Sequence, residues 1–115
     1  MNEDDLKKRT KNFALRILKL IDALPSTVAG RTVANQLTRS GTSVAANYRA
    51  ACRGRSRADF IANLGIVEEE ADESEFWLEI IIDSELIKSS LVEPLRKEAG
   101  EIVAIMVASR KSASI

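Results

Sequence analysis

The chain has 115 residues, 45% of them hydrophobic, which suits one domain around one continuous core. Seventeen Lys plus Arg balance seventeen Asp plus Glu, so no global field draws the protein to a polyanion or a membrane, and any such attraction must be local. The single cysteine, Cys52, excludes an internal disulfide, residues 1–11 are charged unlike a signal peptide, and no apolar run approaches the roughly 20 residues of a spanning helix; the expected compartment is the cytosol.

Two prolines and five glycines leave a chain of good helix formers with little punctuation, which predicts a single all-α domain over residues 1–115, an antiparallel up-down four-helix bundle. The first helix is predicted over about 4–24, with Phe13, Ile17, Leu20, Ile21 and Leu24 at helical spacing and Pro25 as its stop. Ser26 and Thr27 are placed to cap the second, about 27–53, whose inner arc holds Val33, Leu37, Val44, Tyr48 and Ala51. Ser40 and Gly41 interrupt that arc with small side chains that permit close backbone approach, and Gly41 is expected to bend the helix.

Gly54 suits a left-handed C-terminal cap, and Ser56 to Asp59 reads as a variant capping box that opens a third helix, about 57–88. There Phe60, Leu64, Val67, Ala71, Ser74, Leu78 and Ile81 step by four and three, the seam of an antiparallel bundle. Each large apolar member stabilises by roughly 1.5–3 kcal/mol when buried, so packing outweighs propensity here. The fourth helix, about 91–110, is predicted to open at Ser90-x-x-Glu93 with Pro94 in its first turn, to bury Leu95, Ile102, Ile105 and Met106, and to fray from Ser109.

Charge is partitioned unevenly along this frame: residues 23–58 carry six arginines and no acid, and residues 59–85 carry ten acids and no base. Arg39, Arg49 and Arg53 fall within an arc of about 80° at 100° per residue, opposite the apolar arc of the second helix. Arg55 and Arg57 extend the patch into the following loop. One reading is a phosphate-contacting surface for RNA, built on the planar donor fork of arginine. The other is that these arginines neutralise the third helix, where like-charge pairs such as Glu69/Glu73 repel, in the same or a neighbouring subunit.

The third helix is also apolar outside its seam: Ile66, Phe76, Trp77 and Ile80 lie on its flank and back, a pattern expected of an interface in a homo-oligomer. A scaffold or adaptor that binds another protein there, with no nucleic-acid role, is the alternative function. Catalysis finds no support, since the chain lacks histidine, which di-iron bundles require in Glu-x-x-His pairs and which is the commonest general base. No metal site, cofactor or phosphate-binding glycine loop is expected, because Arg-Gly-Arg-Ser at 53–56 has neither the spacing nor the lysine.

The run Gln36-Leu37-Thr38-Arg39-Ser40-Gly41-Thr42-Ser43-Val44-Ala45-Ala46-Asn47-Tyr48, followed by Arg53-Gly54-Arg55-Ser56, resembles the bacterial four-helix-bundle family encoded in 23S rRNA intervening sequences. Phe60-Ile61, Glu70-Ala71 with Glu73, and Phe76-Trp77-Leu78-Glu79 extend the resemblance through the third helix. The resemblance implies a subunit that assembles with itself into a ring-like pentamer, a shape shared with the accessory proteins of diversity-generating retroelements, whose partners are a reverse transcriptase and its RNA. It gives Ser40, Gly41, Ser43, Ala46 and Asn47 the role of holding helices close, with Asn47 bonding a neighbouring group, and makes Glu70 and Glu73 candidate ion-pair partners of the arginines.

Overall fold

Local signals start and stop each helix in the computed structural model, which describes residues 1–115. Helix α1 spans Glu3–Ile21, α2 Val28–Cys52, α3 Arg57–Asp83 and α4 Ser89–Ser114, with no strand. A reciprocal capping box opens α1: Asn2 Oδ1 accepts from the Asp5 amide at 2.9 Å and Asp5 Oδ2 from the Asn2 amide at 3.3 Å. Glu3, Asp4 and Asp5 then lie against the positive end of the helix dipole. The helix ends at Ile21, earlier than Pro25 alone suggests, because residues 22–24 turn the chain; the Ala23 and Leu24 amides reach back three residues to Leu20 and Ile21.

Thr27 caps α2 by accepting from the Gly30 amide at 3.0 Å, and α2 remains one helix across Ser40 and Gly41. Gly54 is not the predicted left-handed cap, for no glycine has a positive φ; α2 closes on Arg53, and the Gly54 amide bonds the Ala51 carbonyl at 3.0 Å. The left-handed residue is Glu85, at φ 57°. Its amide bonds Ile82 O at 3.1 Å and the Leu86 amide bonds Ile81 O at 3.2 Å, the paired 5→2 and 6→1 bonds of a Schellman motif. That motif ends α3 at Asp83 instead of residue 88. Since glutamate pays the Cβ penalty of this conformation, Glu85→Gly is expected to raise stability by about 0.5–1 kcal/mol in urea unfolding. A loss of stability would show that the Glu85 side chain makes contacts worth more than the strain.

At α4 the predicted Ser90/Glu93 box does not form: the helix starts at Ser89 after Lys88, with no side-chain cap. Pro94 is therefore inside the helix, past its first turn, and leaves the Ser90 carbonyl without its i+4 donor. The far end does not fray at Ser109. Arg110 reaches Glu68 of α3 at 2.7 Å and ties the last turns of α4 to the bundle.

Successive helices pack as neighbours, and α4 returns to touch α1 along a thinner contact, so the four enclose one core in up-down order. The bundle measures 45 × 20 × 19 Å. Of the predicted seam of α3, Leu64, Val67, Ala71, Ser74, Leu78 and Ile81 are all buried and Phe60 is half-buried. Facing them are Phe13 and Ile17 of α1, Leu37, Val44 and Tyr48 of α2, and Val92, Ile102 and Met106 of α4, all buried.

Small residues bring α2 close to both neighbours. Ser40 and Ser74 share a buried hydroxyl bond of 2.9 Å between α2 and α3. On the α1 side, a Cβ added at Gly41 would lie 2.9 Å from Ile17 Cγ1, so only glycine allows this approach.

Candidate nucleic-acid interface

The arginine arc of α2 divides between two neighbouring helices. Arg39, at one edge, turns to α3: its guanidinium bonds Glu70 Oε2 at 2.9 Å and also Glu73 Oε2. Those carboxylates hold Arg39 charged, with its pKa above the usual arginine range, chiefly through the hydrogen bond that Arg39 donates to Glu73. Trp77 Nε1 donates to the same Glu73 oxygen at 3.2 Å. Arg39 is thus engaged by the acidic helix, and Glu70 and Glu73 are its partners.

Arg49 and Arg53, at the other edge, face α1 and make no ion pair within the chain. With Lys7 and Lys11 of α1 they line a groove of about 490 Å³ whose remaining lining is Thr42, Ala45 and Ala46. Four cations surround this concavity and no carboxylate lines it. Their positions follow from helix geometry: residues four apart stand on one face, so Lys7 and Lys11 form one wall and Arg49 and Arg53 the other. Small residues on α2 keep the space between the walls open. Arg55 and Arg57 lie exposed beyond the end of α2, Arg57 as the first residue of α3 after its Ser56 cap.

Sequence reasoning missed Lys7 and Lys11. The available signal was the i, i+4 lysine row on the first helix, away from its apolar stripe. Asn47, expected to bond a neighbouring group, donates to the backbone carbonyl of Ser43, one turn back in its own helix, at 2.9 Å.

The flank of α3 is partly covered. Ile66 is 41% and Phe76 50% exposed, whereas Trp77 and Ile80 are half-buried against the core. Phe76 stacks edge-on against Trp77, with ring centroids 5.0 Å apart and planes at 71°.

Cys52, half-buried one turn after Tyr48, is held as the neutral thiol: burial pushes it up, and the nearby Glu3 and Asp4 add to that against the opposing effects of Tyr48 and Lys7. Burial likewise raises the Tyr48 hydroxyl above its usual range. Neither group is poised to ionise near neutral pH. No helix is long and apolar enough to cross a membrane.

Residues 2–108 match the pattern of the family described as 23S rRNA-intervening sequence protein. Among solved structures, the chain is 36% identical to a protein of unknown function from the S23 ribosomal protein family of Bacteroides thetaiotaomicron VPI-5482. That alignment covers 96% of this chain and 99% of the other, with a TM-score of 0.84. No curated protein matches the chain.

Proposed function

The chain belongs to the 23S rRNA-intervening sequence protein family, and we propose that it works in the cytosol as a non-catalytic, oligomeric bundle that binds RNA through the α1/α2 groove. The observation that carries this reading is the convergence of Lys7, Lys11, Arg49 and Arg53 on one concave surface without a lining carboxylate. A local field of one sign survives there although the whole chain is neutral. Oligomerisation would present the groove several times, so that a weak single contact becomes useful avidity.

Phosphate binding of this kind depends on salt, because each neutralised phosphate releases counterions. The expected result is that a labelled ribosomal RNA fragment binds at low salt, and that Arg49→Ala with Arg53→Ala lowers the slope of log affinity against log salt by about 1.4, or about 0.7 per contact on a single strand. Both arginines are exposed, so the double variant should fold normally by circular dichroism. Unchanged affinity and slope would remove the groove from consideration.

A second reading, a protein-binding scaffold, is favoured by Ile66 and Phe76, which expose large apolar side chains on α3 beside its acids. Capture of a defined protein partner, such as a reverse transcriptase, that survives nuclease treatment and is lost with Phe76→Ser would support it over the RNA reading.

A further inference from the structure

We infer that the α1/α2 groove holds the sugar–phosphate backbone of an unpaired strand without reading its bases, and that Lys7 and Lys11 form half of that site. This rests on the RNA-binding reading and adds the form of the nucleic acid and the mode of contact.

The chemistry of the lining is the first reason. Lysine and arginine side chains donate hydrogen bonds and accept none. The one hydroxyl in the groove, Thr42 Oγ1, already donates to the Thr38 carbonyl at 2.7 Å. The lining therefore offers positive donors, which suit phosphate oxygens, and no carboxylate or amide side chain to read the amino groups of bases. No aromatic side chain lines it either; the neighbouring Tyr48 is 2% exposed and turned into the core. Base-reading sites for single strands use aromatic platforms together with side-chain acceptors for base amino groups, and beyond its two arginine planes this groove has neither an aromatic ring nor a carboxylate or amide.

Shape is the second reason. Packed helices stand roughly 8–10 Å apart axis to axis, so the two cation rows run side by side along the bundle axis. An RNA duplex, with two backbones wound about paired bases, is broader than that spacing and would ride over the rims and meet one row at a time. Within each wall the two cations are one helical turn apart, about 6 Å, and both rows run along the strand. Glu3 and Asp4, near enough to act on Cys52, limit the favourable path at the Arg53 end.

The test uses the full chain and three labelled probes of about 20 nucleotides, within the reach of one or two such sites: oligo-U, oligo-C and an RNA duplex. Binding is followed by fluorescence anisotropy across a salt series. We expect oligo-U and oligo-C to bind within about threefold of one another and the duplex at least about tenfold more weakly. Lys7→Gln with Lys11→Gln should weaken both single strands at least about tenfold and lower the salt slope by about 1.4. Both lysines are exposed, and an unchanged thermal transition will show that the fold is intact.

Single-strand binding that ignores the lysine variant but falls with the Arg49/Arg53 variant would overturn the two-walled groove and leave the RNA reading standing. A strong preference for oligo-C over oligo-U or the reverse, or for the duplex, would overturn the backbone-only mode. Failure of every probe to bind would overturn the RNA reading itself.

Discussion

Replacing Gly30 by alanine is expected to destabilise the protein by roughly 3 kcal/mol, although helix propensity alone favours alanine by about 1 kcal/mol. A Cβ at residue 30 would stand 1.9 Å from the Pro25 carbonyl oxygen, well inside contact distance. The obstacle is backbone, so relief requires moving the α1–α2 turn and not merely rotating a side chain. That movement also endangers the Thr27 cap, which accepts from the Gly30 amide at 3.0 Å and is worth about 0.5–2 kcal/mol. Overpacking adds about 1–3 kcal/mol. The two together exceed the propensity gain, and the thermal midpoint should fall by roughly 10 °C. A midpoint that rises would mean that the turn yields freely and that propensity decides this position.

The case of Gly30 shows where sequence reasoning reaches its limit. The seam of α3 was legible because its members repeat over seven positions, five of them large and apolar, and the burial of Leu64, Val67, Leu78 and Ile81 follows from that repetition. Helix ends were less legible, because they depend on a few dihedrals. Glycine at 54 suggested a left-handed cap, yet the chain takes that conformation at Glu85, where the Schellman bonds and the packing of Leu86 against the core hold a glutamate in it. Ser90 and Glu93 spell a capping box in sequence, but the helix begins two residues earlier than that box requires and the box has no role.

The candidate site divides in the same way. That α2 carries arginines opposite its apolar arc is a matter of periodicity, and the sequence shows it. Which neighbour each edge of that arc faces depends on the hand in which the four helices are ordered, and either hand is compatible with the same pattern. With α3 on one side and α1 on the other, Arg39 meets Glu70 and Glu73 while Arg49 and Arg53 meet the lysines. Both readings of the arginine patch therefore have a counterpart in one helix. Lys7 and Lys11 escaped notice because they are remote in sequence from the arginines and vanish in a net charge of zero.

Phe13→Ala and Phe76→Ala should separate by several kilocalories, and the comparison bears on whether α3 has a partner. Phe13 is 1% exposed among the core residues, and its truncation is expected to cost about 3–5 kcal/mol, a large share of the roughly 5–15 kcal/mol that holds a domain together. Phe76 is half exposed, so in an isolated bundle its truncation removes mainly the edge contact with Trp77, about 0.5–1.5 kcal/mol. Urea unfolding at several protein concentrations checks both. A cost at Phe13 below about 1 kcal/mol would contradict the docking of α1 on the core. A cost at Phe76 that grows with protein concentration would place that ring in a contact between subunits, since association stabilises only the folded form and does so by mass action. A small, concentration-independent cost would leave Phe76 free on the surface of the bundle, where the scaffold reading needs it.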